Sequence, residues 1–106
     1  MQKVLVTGSS GRIGQAFVAA FQEQYEFVLT DLRDPPQPVV GRHRFVRSDL
    51  SEIDAAGDLC QGMDAVVHLA GIPDPDAVFD DLLPANILAT TYLIEAAHKA
   101  RCRRFV

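Results

Sequence analysis

The chain has 106 residues, 48% hydrophobic and 23% charged, the composition of an ordinary globular chain of one small domain. Its formal charge of −4 removes the electrostatic basis for binding nucleic acid or an anionic membrane surface, since both rest on neutralising phosphates. No apolar run approaches the roughly 18 residues of a membrane span. Cys60 and Cys102 have neither zinc-ligand spacing nor the density of a disulfide framework, which fits reduced thiols in a cytoplasmic protein.

In chain order, "KVLVT" at 3–7 is short, β-branched and closed by glycine, the pattern of a buried strand. After "GSSGRIG" the spacing becomes helical, and Ile13, Ala16, Phe17, Ala20 and Phe21 are predicted to share one apolar face. "EFVLTD" at 26–31 predicts a second strand, and "DPPQPVV" at 34–40 a surface loop, because proline lacks a donor and fixes φ. "HRFVRSDL" at 43–50 predicts a third, shorter strand, with Ser51 signalling a helix over about Ile53 to Met63. "DAVVHLAG" at 64–71 is apolar enough for a strand buried on both faces. Residues 77–100 carry a long helical pattern with Leu83, Ile87, Thr91, Ile94 and Ala97 or His98 on one side. Pro84 interrupts it, so a break or a first-turn placement is expected there. The basic "KARCRR" at 99–104 falls where a solvated helix end would complement the helix dipole, and "RFV" opens a fifth strand.

This alternation predicts an α/β fold in a single domain over 1–106. It is a Rossmann-type doubly wound parallel sheet with strand order 3-2-1-4, a truncated fifth strand, and helices on both faces.

A loop between a buried strand and a helix turns its backbone N–H groups, and the positive end of the helix dipole, toward whatever lies above the strand's carboxyl end. Phosphate is the natural occupant. Gly8 permits the tight exit from the strand, Gly11 has no side chain to hold a pyrophosphate off, and Gly14 lets the helix approach closely. The spacing G-x-x-G-x-x-G is one residue longer in its first gap than the dinucleotide fingerprint, and a turn needing one positive φ would also use glycine. Asp31 adds context, because a carboxylate at the end of the second strand can accept bonds from both ribose hydroxyls and would repel a 2′-phosphate. NAD(H) is therefore expected over NADP(H), with Arg12 and Arg33 the residues that could approach a 2′-phosphate. The alternative for Asp31 is a turn cap beside the prolines.

Together, "TGSSGRIG", Asp31, the "DL" pair at 49–50, "HLAG" at 68–71 and Asn86 resemble the extended short-chain dehydrogenase/reductase family, the NAD-dependent epimerases and dehydratases. The resemblance covers essentially the whole chain. It implies pyrophosphate binding by Gly8, Gly11, Arg12, Ile13 and Gly14, mainly through backbone amides, and ribose binding by Asp31. It further implies an adenine contact from Asp49 with Leu50 packing beside the ring, Leu69, Ala70 and Gly71 beneath the nicotinamide-side ribose, and Asn86 bracing the segment that carries them. Asp49 as a helix cap and His68 as a packed strand histidine are the plainer alternatives. Ala89 stands where the family often has glycine before Thr90. The run "AGIPDPDAVFDDLLPANILATTYLIEAA" is similar to uronate dehydrogenases, which oxidise sugar acids at the anomeric carbon, although loops of this length also occur in nucleotide-sugar epimerases.

The family's catalytic Tyr-x-x-x-Lys pair does not occur, since Tyr25 is followed by Leu29 and Tyr92 by Ala96, so no catalytic residue is assigned. No metal is expected either: Asp74, Asp76, Asp80 and Asp81 lack the glycine and glutamate of a calcium loop and suit a solvated helix start. The expectation is the NAD-binding portion of a longer oxidoreductase acting by hydride transfer on a sugar or sugar acid, inactive as this piece. The alternatives are a stand-alone, non-catalytic dinucleotide-binding or redox-sensing module and a purely structural domain. A truncated fifth strand would leave the fourth as an exposed edge, so a homo-oligomer paired through that edge or through helices is expected.

Overall fold

A computed structural model describes residues 1–39 and 42–106. Val40, the last residue of the proline-rich loop, lies outside the described residues. Five strands, β1 Lys3–Thr7, β2 Glu26–Asp31, β3 Arg44–Arg47, β4 Ala65–His68 and β5 Arg104–Phe105, form one sheet in the order β3-β2-β1-β4-β5. All four pairings are parallel. The helices are α1 Arg12–Phe21, α2 Ala55–Cys60, α3 Phe79–Leu82 and α4 Ala89–Lys99, the last two joined by a π-helical turn, Leu83–Leu88. The doubly wound sheet expected from the alternation of elements is present, and its strand order reverses direction between β1 and β4.

Period-two alternation along the central strands divides the core in two. Val4, Val6, Phe27 and Leu29 face α1 through Phe17 and Val18. Leu5, Val28 and Val66 face the opposite way, onto Ala56, Leu59 and Cys60 of α2 and Ala89, Leu93 and Ala97 of α4. One helix therefore covers one face and two cover the other.

Several local expectations are corrected. The inner face of α1 runs through Gly14, Phe17 and Val18, while Ile13 is 71% exposed and Ala16 and Ala20 are exposed. The cause is the closest approach of the helix at Gly14, which turns positions i+3 and i+4 inward. The inner face of α4 is Ala89, Leu93 and Ala97, and Ile87 and Ile94 are each 47% exposed. Pro84 takes the first-turn placement, at the start of the π-helical segment, and the chain widens there, with the Ala89 N–H donating to the Pro84 carbonyl five residues back. The α2 helix starts at Ala55, because Ser51 turns back on Asp49 and caps nothing. Within β4 only Val66 is fully buried, and Ala65 and Val67 are half-buried.

The fourth strand is not an exposed edge. The His68 N–H donates to the Val106 carbonyl (2.7 Å) and the Val106 N–H to the Val66 carbonyl (2.9 Å). Its neighbour on that side is β5, while β3, at the other end of the order, is short and carries exposed Arg44 and Arg47, features that disfavour edge-to-edge pairing.

Phe27 is 0% exposed and sits between Phe17, Tyr25 and His43. Phe27→Ala is expected to cost about 3–5 kcal/mol of stability. Ile13→Ala, on the outer face of α1, is expected to change it by less than about 0.5 kcal/mol. Denaturant unfolding of the two variants checks both, and comparable losses would return Ile13 to the core.

Candidate functional site

The glycines do different work at the carboxyl end of β1. Gly8 has φ +67°, and a Cβ on it would stand 2.7 Å from the Ala70 nitrogen and the Leu69 carbonyl carbon. A Cβ on Gly14 would stand 2.5 Å from the Gly8 oxygen and 2.8 Å from the Ser9 Cα. Both positions therefore exclude any side chain on packing grounds. Gly11 is unlike them, since its Cβ would meet one atom, the Gly8 oxygen at 3.3 Å, and otherwise open space.

Most donors of the loop are occupied. The Ser9 N–H and Oγ–H donate to the Thr30 carbonyl, the Ser10 N–H to Asp31 Oδ2 (3.0 Å), the Ser10 Oγ–H to the Arg33 carbonyl (2.8 Å) and the Gly11 N–H to the Gly8 carbonyl (3.1 Å). The Gln15 N–H closes the first turn of α1 on the Gly11 carbonyl. That leaves the Arg12, Ile13 and Gly14 amides, the first three of the helix, which have no side-chain cap. Three free N–H groups at the positive end of a ten-residue helix make a site for an anion.

Asp31 flanks these amides at the end of β2. Its two oxygens are oriented by the Ser10 and Arg33 N–H groups (3.0 and 3.2 Å), and a carboxylate holding one bond per oxygen retains acceptor capacity for two hydroxyls. The next strand brings Asp49 to the same side, since the Ser48 N–H donates to the Asp31 carbonyl (3.1 Å). Asp49 is exposed, and its Oδ1 holds the Ser51 N–H and Oγ–H. The Leu50 side chain differs from expectation: it is 7% exposed and belongs to the core with Leu5 and Val28, so it supports the loop from below and offers no face to a ring.

On the other side of β1, Leu69 and Ala70 abut Gly8, and Gly71 follows. Asn86 receives the Ile72 N–H on Oδ1 (2.7 Å) and donates Nδ2–H to the Ile72 carbonyl (3.1 Å), so it braces the Gly71–Ile72 backbone and reaches the cleft only through it. The structure thus brings Gly8, Gly11, Arg12, Ile13, Gly14 and Asp31 into one bonded unit. Leu69–Gly71 lies on the β4 side, and Asp49 lies beyond Asp31.

Beneath this surface a set of side-chain bonds joins Thr7, at the head of the glycine run, to His68, at the head of "HLAG", and to Thr90. Thr7 is fully buried, and its Oγ1 accepts the Leu69 and Ala70 N–H groups, both at 3.1 Å, the Leu69 N–H being shared with the Thr7 carbonyl at 3.2 Å. With both lone pairs taken, its O–H donates to His68 Nδ1 (2.6 Å). His68 is therefore neutral with its proton on Nε2, which donates to Thr90 Oγ1 (2.8 Å). Thr7 opens the "TGSSGRIG" run, but nothing local in the sequence pairs its hydroxyl with His68.

The profile of the NAD dependent epimerase/dehydratase family matches residues 4–106. The chain belongs to this family. It is 34% identical over 110 residues to the NAD-dependent glucose-6-phosphate dehydrogenase of Haloferax volcanii, with 98% of this chain and 41% of that protein covered. It is 28% identical to the uronate dehydrogenase of Pseudomonas putida, covering 98% of this chain and 39% of the relative. Among solved structures, a variant of uronate dehydrogenase from Agrobacterium tumefaciens complexed with NAD superposes with a TM-score of 0.88 at 30% identity, over 99% of this chain and 39% of that one. The chain spans about two fifths of the length of these relatives.

In this epimerase/dehydratase-family chain both cysteines are free, Cys60 buried and Cys102 partly so. Burial, reinforced by neighbouring Cys102, pushes the Cys60 thiol up to about 12, and burial raises Cys102 as well. Among the described residues no three His, Cys, Asp or Glu side chains gather to hold a metal, and no helix is long and apolar enough to cross a membrane.

Burial also lowers His68 from the ordinary imidazole range. A second ring proton would meet the hydrogen that Thr7 already directs at Nδ1. Since the native state takes up this proton later than the unfolded one, the stabilisation is full above about pH 6.5 and is lost as pH falls through the lowered native value. The unfolding midpoint is expected to drop between about pH 7 and 5 more steeply than that of His68→Asn; parallel curves would remove His68 as the cause.

Proposed function

We propose that this chain is the NAD-binding portion of an oxidoreductase that acts on a sugar or sugar acid. One observation carries the reading: three uncapped amides at the start of α1 lie between a carboxylate on the β2 side, Asp31, and the Leu69–Gly71 backbone on the β4 side. A dinucleotide has the matching order, with ribose hydroxyls, a central pyrophosphate and a second ribose, and α/β sheets bind such ligands where the strand order reverses. NAD, when bound, supplies a hydride acceptor at its nicotinamide. The relatives named glucose-6-phosphate, L-arabinose and uronate dehydrogenases support a sugar or sugar acid as the other reactant.

The chain's own residues bind and orient. Arg12, Ile13 and Gly14 donate amides to the pyrophosphate, Asp31 accepts the adenosine-side ribose hydroxyls, and Asp49 stands beyond it toward the adenine. Without a Tyr-x-x-x-Lys pair these residues do not move a substrate proton, which also suits a binding module without turnover. Assay of the gene product for NAD reduction by uronates and aldoses separates the two readings.

Calorimetric titration tests the site. NAD is expected to bind, and NADP to bind more weakly because its 2′-phosphate would meet Asp31. Asp31→Asn should weaken NAD by about 1.5 kcal/mol or more and narrow the preference over NADP. Gly11→Ala should weaken NAD about tenfold or more by holding the pyrophosphate off, yet keep stability within about 1 kcal/mol. Gly14→Ala should lose stability instead. Unchanged NAD affinity in Gly11→Ala would overturn the assignment.

A further inference from the structure

We propose that Thr90 and His68 are positioning residues: through Thr7 they hold the Leu69–Gly71 backbone in register for the second nucleotide half of the bound dinucleotide, leaving the adenosine half untouched. This rests on the dinucleotide reading above.

The argument is geometric. With one ribose at Asp31 on the β2 side and the pyrophosphate over α1, the rest of the ligand must run over β4, where Leu69–Gly71 forms the exposed floor. Four contacts hold that floor. The Leu69 N–H donates to the Thr7 carbonyl (3.2 Å), the bare Gly8 backbone lies against Ala70, Asn86 fixes Ile72, and Thr7 Oγ1 accepts the Ala70 amide and shares that of Leu69. The last contact has a defined orientation because His68 Nδ1 takes the Thr7 hydrogen, and Thr90 favours that tautomer by receiving the Nε2–H. Thr90 on α4 thus sets the lone-pair directions that the loop amides meet.

No charge competes in this chain of bonds. The ring of His68 is faced by Thr7 from β1, Thr90 from α4 and the Phe105 ring from β5 (centroids 6.0 Å apart), and its lowered protonation comes from burial alone. A proton on Nδ1 forces the Thr7 hydroxyl to rotate, which takes a lone pair away from one loop amide. The adenosine side has no connection to this set other than the shared strand.

Titration of the full chain with NAD and, separately, with ADP reads the proposal. Thr90→Val is expected to weaken NAD about fivefold while ADP affinity is unchanged, and Thr90→Ser to restore NAD. The ratio of NAD to ADP affinity should fall in the parent chain as pH drops below the ordinary imidazole range, and should be flat with pH in His68→Asn. Equal weakening of NAD and ADP in Thr90→Val, or no weakening of either, overturns the positioning role. Failure of the parent chain to bind either nucleotide overturns the dinucleotide reading and this inference with it.

Discussion

One buried hydroxyl ties the carboxyl end of the sheet together. Thr7 Oγ1 holds two loop amides and one imidazole, and its row across the sheet continues through Thr30 on β2 and His68 on β4, which pair with it in register. Thr30 repeats the device by bonding Ser48 (2.6 Å) in the segment after β3. The loops that follow β2, β3 and β4 would otherwise be separate surface segments. Leaving one of these buried groups without its partner costs about 1–3 kcal/mol.

Above that row, the anion site exists because of what its neighbours occupy. Ser9 and Ser10 commit their donors to β2, so the amides left over are those at the start of α1. The missing β-carbons at Gly8 and Gly14 let the strand exit, the helix and the β4 loop converge within van der Waals contact. Asp31 tightens the selection, because a negative group held beside the loop suits hydroxyls and repels a further phosphate. The carboxylate that closes the loop is thus also a negative charge beside the free amides.

The sequence made the strands and their order legible, because "KVLVT", "EFVLTD" and "DAVVHLAG" are β-rich runs set between helical patterns and a parallel sheet permits few topologies. It also made Gly8, Gly14 and Asp31 legible as neighbours, since their spacing falls on a strand exit, a helix start and the next strand's end. Helix faces were less legible. In α1 the backbone approach at Gly14, a residue with no hydrophobic signal, decides what points inward, and Ile13 turns out in consequence. Leu50 was legible as apolar but not as core. The Thr7–His68 and His68–Thr90 bonds join residues 61 and 22 positions apart, and no local pattern carries them.

The π-helical turn shows how far such non-local effects reach. Pro84 cannot donate to the preceding turn, and the widened turn adds a residue that rotates everything after it by about 100°. Leu93, with alanines 89 and 97 and, partly, 96 and 100 around it, then faces the sheet and α2 in place of Ile87 and Ile94. Small side chains permit a short interaxial distance. A threonine, with one bond between Cβ and its hydroxyl, can reach His68 at 2.8 Å only from a helix lying that close. Had the isoleucine stripe packed inward, its bulk would have held α4 away from the sheet and left the Nε2–H of a half-buried histidine without an acceptor.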